Sequence, residues 1–534
     1  ELSDTELVPI VQERVLRVRA GMAQPLAQAI DTTLDGLSPE VRATLLHDLT
    51  PDDFRRVYPF HPALIRTLID VSARLSRERA AIRLVGWARH DAGYIDNVPS
   101  VRAFPTPGGC ITNSNQPMTG CQLTPERAKK DFNDVDTYGA RAALRVDLND
   151  NWSITPAIMG QNQESNGRFA YDPNIGDLEI ARYYPETSKD EWIQAALTVE
   201  GRIANFDVTY AGAYLDRDVT VQQDYSDYAF FYDQCCAYGV YWGDDTGTPL
   251  VDPSQFIDWE DDYKRQSHEL RIASPGDKRL RFVGGLFYQK QEHGIFQQYQ
   301  IQGLGGFLDG TDYLPIEVTG WPDTIWLTQQ QREDIEQAVF GEVYFDFTDQ
   351  LTGTVGLRWF QTENSLKGFF GFNDNYSSNY GEALCFSDQQ FRGAPCVNLD
   401  DEVDETGTVP KFNLTYRFDD SRLVYVTYSE GFRPGGVNRR GDLPPYKADY
   451  LKNYELGWKT SWRDDSIRFN GAVFLEEWDD FQFAFLGQSS LTQIANAANA
   501  RIEGIEADVQ WAVTDALTLA GGARGLLWRW FRRR

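Results

Sequence analysis

The chain lacks any apolar run approaching the ~20 residues that a membrane-spanning helix needs, and its mean hydropathy is -0.47. That excludes a helical membrane protein. It leaves a β-barrel open, because barrel strands are apolar on one side only. Histidine is scarce, with five among 534 residues: His47, His61, His90, His268 and His293. None stands in HExxH or another paired-ligand spacing. The sequence has no Gly-x-Ser-x-Gly elbow and no Gly-Lys dipeptide, so it carries no Walker A phosphate loop. No enzyme activity, cofactor or metal site is therefore expected. Asp131, Asn133, Asp134 and Asp136 crowd together but lack the Gly and terminal Glu of a calcium loop, and read as solvated. Positive charge is also short. Fifty-one Lys and Arg against 79 Asp and Glu give a net charge of -28, which argues against nucleic acid as a partner. Acidic loops could meet cations or metal complexes; the simpler reading is that they keep exposed segments soluble.

Cysteines number six and fall in close pairs: Cys110/Cys121, Cys235/Cys236 and Cys385/Cys396. With no histidine at ligand spacing, zinc is disfavoured. Cys110 with Cys121 and Cys385 with Cys396 are disulfide candidates of an oxidising compartment. The state of Cys235 and Cys236 stays open.

Aromatic residues are abundant at 13%, including 26 Tyr and 14 Trp. Many sit in period-2 patterns. Phe412, Leu414, Tyr416 and Phe418 alternate with Lys411, Asn413, Thr415 and Arg417, so one face of a strand is apolar and the other polar. Asp419-Asp420 then turns the chain. Tyr454, Leu456, Trp458 and Trp462 alternate with Glu455, Gly457, Lys459 and Ser461, and Arg463-Asp464-Asp465 turns it again. The rhythm extends upstream: Tyr138, Ala140, Ala142, Leu144, Val146 and Leu148 form an apolar face opposite Thr137, Arg141, Arg145 and Asp147. Further short turns are read near Asn149, Glu200-Gly201, Pro275-Gly276-Asp277, Thr348-Asp349 and Thr514-Asp515. Trp152, Phe347, Phe418, Trp462 and Trp511 lie close to them, where an interfacial girdle belongs. Long links alternate with the short turns, among them 216–265, 292–335, 364–407 and 430–453. No fixed repeat marks a propeller or solenoid. The pattern predicts a mainly β protein, a transmembrane antiparallel barrel of about 15 strands.

Three stretches resemble the barrel of TonB-dependent outer-membrane receptors: YSEGFRPGGVNRR (428–440), LKNYELGWKTSW (451–462) and ARIEGIEADVQW (500–511), with GWARHDAGYIDNV (86–98) fitting an early strand. The resemblance covers roughly 80–522. It implies a 22-stranded barrel, of which this chain would form an incomplete one. It also implies TonB-energised uptake of a scarce ligand, most often a ferric siderophore or other iron complex, sometimes a vitamin or oligosaccharide. The implied partners are outer-membrane lipid, the small ligand and the TonB complex, and the implied location is the Gram-negative cell outer membrane. No signal peptide, plug or TonB-docking segment is read in the chain, so this truncated form is expected not to transport.

Residues 1–82 do not fit the barrel. Leu7, Ile10, Val11, Val15 and Val18 have helical period, Ser38-Pro39 reads as a helix start, and Leu64, Leu68, Val71 and Leu75 form a further stripe. A small all-α segment of unrelated origin is expected there. Its wording YPFHPALIRTLIDVSARLSRERAAIRL (58–84) resembles a fragment of large bacterial phage-defence-type ATPases. The expected domains are thus 1–82, helical; 83–522, barrel; and 523–534, a basic tail of unclear origin. The alternatives to a receptor are a defence-related ATPase fragment and a soluble or secreted β protein.

One link carries candidate ligand-binding residues. Arg433, Arg439 and Arg440 could grip an anionic ligand, since a guanidinium offers two parallel donors to a carboxylate. The competing and preferred reading pairs them with Glu430, Asp442 and Asp449 to order the link. Gly435-Gly436 after Pro434 reads as a turn.

Overall fold

The computed structural model describes residues 79–99, 127–228, 231, 254–303, 317–372, 385, 390–487, 492–497 and 499–531. The helical expectation for 1–82 falls outside these, except that residues 80–82 begin a strand. Two compact units are distinguished: Leu84–Ala143 with Asn151–Arg534, and Glu1–Arg83 with Leu144–Asp150. In the second, Arg79 and Asp150 form an exposed ion pair at 2.7 Å.

The described elements are strands β1 (Ala80–Asp91), β2 (Asp96–Asn97), β3 (Val135–Asp147), β4 (Trp152–Asn166), β5 (Glu179–Ile180), β6 (Thr187–Ile203), β7 (Phe206–Asp224), β8 (Gln255–Ala273), β9 (Leu280–Ile301) and β10 (Thr324–Asp346). They continue with β11 (Leu351–Gly371), β12 (Leu399–Asp419), β13 (Arg422–Arg433), β14 (Asp449–Trp462), β15 (Ile467–Asp479), β16 (Gln482–Leu486), β17 (Thr492–Asn496), β18 (Asn499–Thr514) and β19 (Leu517–Phe531). Fifteen of them form one sheet in the order β1-β3-β4-β6-β7-β8-β9-β10-β11-β12-β13-β14-β15-β18-β19. This is the strand number the sequence rhythm predicts. β1 and β19 stand at the two ends of that order, so the ladder is not closed within the described residues.

Side-chain alternation decides the faces. Leu414, Val426, Leu456, Val473 and Ile505 are direct cross-strand partners in turn, and all five are exposed. Phe282, Val343, Val355 and Phe412 form a second such row. An exposed apolar surface running over neighbouring strands is far larger than the scattered hydrophobics of a soluble surface. It is the lipid-facing band of a membrane sheet. Phe347, Phe418, Trp462 and Trp511 are exposed beside the short turns, as a girdle requires, and Arg422 lies over the Trp462 ring at 4.8 Å. The opposite face is laced by polar pairs: Arg358 with Glu336 at 2.6 Å, Lys411 with Glu342 at 2.9 Å and Arg524 with Glu506 at 3.0 Å.

The turns follow local chemistry. The Asp419 carboxylate accepts the Ser421 amide at 2.9 Å and the Arg422 Nε at 2.8 Å. Arg463, Asp464 and Asp465 all have positive φ, a conformation that Asp tolerates better than most residues. Glu200-Gly201 is not a turn. Both lie in β6 opposite Thr209 and Val208, and the reversal comes at Ala204 with φ 54°. Gly201 is needed for space, because a Cβ there would overlap the Trp152 ring. The chain also does not leave the ladder at Gly522: β19 continues to Phe531, paired with β18 to its end.

The strands outrun the membrane. β9, β10, β11 and β12 have 22, 23, 21 and 21 residues, whereas ~9–11 cross a bilayer. The long links are correspondingly shorter than expected; 430–453 shrinks to 434–448 between β13 and β14. Small apolar clusters anchor the link ends: Val318, Leu327, Phe369, Ala394 and Cys396 in one, Leu366, Leu399 and Val437 in another, Ile95, Phe132 and Ile180 in a third.

Candidate functional site

The link 434–448 is braced from below. Glu405 on β12 accepts the amides of Gly435 at 2.9 Å and Ala448 at 2.8 Å. Asn364 on β11 accepts the Val437 amide at 2.8 Å and donates to Asp334 at 2.7 Å. Asn438 donates to the Pro444 carbonyl at 2.8 Å and exchanges bonds with Ile494. Gly435 and Gly436 are buried, and Gly436 bridges to Tyr446. Side chains there would overlap Tyr446, so close approach rather than turn conformation explains both glycines.

The three arginines have different fates. Arg433 pairs with Asp449, which is 1% exposed, donates to the Gln482 carbonyl at 3.1 Å and lies over Trp478 and Phe481. Arg440 makes a two-pronged pair with Asp442 at 3.0 and 2.6 Å. Glu430 takes neither; it accepts the Tyr428 hydroxyl. Arg439 is exposed and has no carboxylate partner among the described residues. Its charge acts on the hydroxyls of Tyr263 and Tyr299. The loop-ordering reading thus fits Arg433 and Arg440, and Arg439 makes no such pair among the described residues.

Arg439 stands over the polar face of β8, β9 and β10. The register sets three adjacent rungs there: Trp259–Gln297–Thr328, Asp261–Ile295–Gln330 and Tyr263–His293–Arg332. Gln330 donates through Nε2 to the Arg439 carbonyl at 3.1 Å, fastening the link to the second rung. The rings of Tyr263 and His293 stack at 3.9 Å, and Arg217 covers Tyr263 at 5.5 Å while gripping Asp190 at 2.8 and 2.6 Å. Asp261 and Gln330 are 6% and 0% exposed. Asp261 Oδ1, Gln330 Oε1, Thr328 Oγ1, Trp259 Nε1 and His293 Nε2 are buried with no hydrogen-bond partner among the described residues. Asp261 Oδ1 and His293 Nε2 lie 3.2 Å apart, and the Tyr263 hydroxyl also bonds to the Asp261 side chain.

Period-2 reading missed these residues, because both faces of the strands are polar here. A signal was present in the glutamines Gln289, Gln291, Gln297, Gln298, Gln300 and Gln329–Gln331, an unusual load for β-strands.

Two other groups hold chemistry. His90, Asp134 and Asp136 bring ligand atoms within 4.8 Å of one another. They are engaged already: His90 with Asp136 at 2.7 Å, Asp134 with Lys129 at 3.4 Å and Asn166 at 3.3 Å. Asn133 is structural, accepting the Tyr94 and Ile95 amides. In the link before β6, Glu186 stands 3.7 Å from both Arg168 and Arg182. Burial pushes its carboxyl up to about 7, against the pull of Arg182 and Arg168 and with the push of Asp224 and Asp227. Arg182 pairs with Asp227 at 2.6 Å.

Cys385 and Cys396 are joined, with Cα atoms 5.9 Å apart, beside the cluster that holds Val318 and Leu327. Cys110, Cys121, Cys235 and Cys236 lie outside the described residues.

A long antiparallel ladder with an apolar outer band, a polar opposite face and strands that continue past the membrane defines a β-barrel-type outer-membrane protein. The family described as TonB dependent receptor-like, beta-barrel, matches residues 158–530, more than half of the chain, and the chain belongs to that family. The match runs past Gly522, as β19 does. Residues 8–88 match the second domain of the BREX system ATPase PglY protein, in agreement with the resemblance read at 58–84. A 137-residue stretch is 31% identical to the ferric-pyoverdine M114 receptor PbuA of Pseudomonas sp. (strain M114), covering 25% of this chain and 16% of that protein. The ferric yersiniabactin uptake receptor FyuA from Yersinia pestis is similar in structure, with TM-score 0.58 at 14% identity over 85% of this chain and 57% of that one. The siderophore receptor PiuA from Acinetobacter baumannii gives TM-score 0.55 at 13% identity over 85% and 60%. The chain thus spans less than two thirds of each.

Proposed function

We propose that this chain supplies the ligand-facing barrel wall of a receptor for TonB-energised uptake of a scarce ligand, a ferric siderophore or another iron complex, across the outer membrane. The observation that carries the reading is Arg439, an exposed cation with no carboxylate partner among the described residues. A braced link presents it over the polar face of the ladder. Iron chelates are commonly anionic, and a guanidinium recognises such oxygens with two donors at once. Arg433 and Arg440 order the link that presents it. The names of the relatives support iron as cargo. The role is one of binding and passage, with energy from the TonB complex and no bond-making chemistry.

The test has two parts. Heat-modifiable migration in detergent gels and recovery with outer membranes are expected; recovery in the soluble fraction would overturn the barrel reading. Ferric pyoverdine is then titrated into the detergent-purified chain by fluorescence quenching. Arg439→Gln is expected to weaken binding about tenfold, the equivalent of one charge-assisted hydrogen bond. Equal affinity in Arg439→Gln and wild type would remove Arg439 from the site.

A further inference from the structure

The short hairpin β16–β17, which joins β15 to β18, inverts the usual arrangement of a water-facing link. Its polar side chains are spent on the protein. Gln482 donates through Nε2 to the Pro434 carbonyl at 2.8 Å and the Lys447 carbonyl at 3.0 Å, and its amide bonds to Asp449 at 3.0 Å. Asn496 donates to the Lys447 and Asp480 carbonyls at 2.8 Å each. The Ile494 amide bonds to Asn438 at 2.9 Å. Alternation carries Phe483 and Phe485 to the other face, where their rings stack at 6.0 Å opposite Ala495 and Gln493. Phe483, Phe485 and Leu486 are 46, 39 and 68% exposed. At the root, Phe481 stands edge-on to Trp478 at 4.6 Å, and the Arg433 guanidinium lies over both rings.

Two further observations point to what covers this face. None of the residues 481–500 is charged, in a chain whose charged share is 24% and whose net charge is -28. The flanking strands are also short. β13, β14 and β15 have 12, 14 and 13 residues, whereas β9 to β12 have 21 to 23. Because ~9–11 residues cross a bilayer, β15 ends only a few residues beyond the apolar band, and the hairpin leaves the sheet near headgroup level. β15 and β18 carry Val473 and Ile505 in the lipid-facing row, so the hairpin continues a surface already set in the membrane. An anionic solute would find no cation between 481 and 500. Two five-residue strands fall short of the ~800 Å² per partner of a stable protein interface. A lipid layer needs no matched shape, and aromatic side chains favour the membrane–water interface.

We infer that the β16–β17 hairpin is an interfacial anchor, with Phe483, Phe485 and Leu486 set in the headgroup layer of the adjacent lipid leaflet. Through Gln482 and Asn496 the anchor holds the link 434–448 at a fixed height above the membrane.

The test places a nitroxide at Phe483 or, separately, at Phe485, so that one ring remains in each variant. The full chain is reconstituted in vesicles of phosphatidylethanolamine and phosphatidylglycerol. Both labels are expected to relax with lipid-dissolved oxygen, at a depth of about 5–10 Å in the headgroup–acyl boundary. Their accessibility to a water-soluble nickel chelate should be several-fold lower than that of a label at Glu402. Nickel accessibility equal to that at Glu402 would overturn the anchor, the face then meeting water. Protection from oxygen and nickel alike would also overturn it, the face then being covered by protein, whether another segment or a second copy. A label at Leu414 reports the membrane wall itself. Either contrary result with Leu414 in lipid rejects the anchor and leaves the barrel reading standing.

Discussion

The two ends of each long strand obey different rules. Toward the short turns, β12 presents Phe412, Leu414, Tyr416 and Phe418 on one face and Lys411, Asn413 and Thr415 on the other. Toward the long link, the same strand runs Leu399-Asp-Asp-Glu-Val-Asp-Glu-Thr-Gly-Thr, with acidic residues on both faces. The ladder continues without interruption through both halves, from Leu351↔Tyr416 to Gly368↔Leu399. In the first half the solvent decides which side chain faces where. In the second, backbone pairing persists without that help, and small apolar clusters and side-chain bonds to the links hold it. The membrane half anchors the protein; the extension carries the proposed site.

The sharpest break of this comparison is a charge placed on one face in each half. Leu414→Arg should cost about 2–4 kcal/mol in urea unfolding from lipid vesicles, the scale for arginine on a lipid face. Thr406→Arg, on the same face of the same strand but in the extension, should cost little. Equal costs would dissolve the distinction.

Within the extension, reduction of Cys385–Cys396 should loosen the ends of the 373–398 link. Closing a loop with sequence separation 11 is worth about 2–3 kcal/mol by chain entropy. Faster proteolysis there, with the membrane half intact, is the expected outcome. Glu405→Ala should cost about 1–3 kcal/mol, since the Gly435 and Ala448 amides lose their acceptor. Hydrogen exchange should rise at 434–448, and ligand affinity should fall with it.

The smallest effect concerns the link before β6. The folded Glu186 carboxyl titrates at about 7, raised from 4.5. Its contribution to stability is therefore present at low pH and is lost as pH rises from about 4.5 through 7. Protection of the 167–186 link should decline over that window, and Glu186→Gln should flatten the decline. A decline that persists in the variant would assign it to another group.

The membrane half was legible because burial in lipid imposes period two on the residues themselves. Phe412–Phe418 and Tyr454–Trp462 declare strand, face and turn together. The extension was not legible in the same way. Its strands have no apolar face, so the ends of β7, β8, β9 and β10 read as loop, and Gln330, which holds the Arg439 carbonyl, was hidden in a glutamine-rich segment. Local chemistry misled in two places. Gly201 and Gly435-Gly436 signal turns in sequence, while in the fold they make room for Trp152 and Tyr446. The loop arginines were legible as a group. Their division into two residues paired with carboxylates and one without such a pair among the described residues was not, because it depends on which carboxylates the register brings near.

The most direct test of the account is made along β12. A nitroxide at Leu414 should relax strongly with lipid-dissolved oxygen and weakly with a water-soluble nickel chelate. At Glu402, on the same face twelve residues away (414 less 402), the preference should reverse. Nickel accessibility at Leu414 equal to that at Glu402 would contradict the account, for the apolar row would then face water and the sheet would not be a membrane wall.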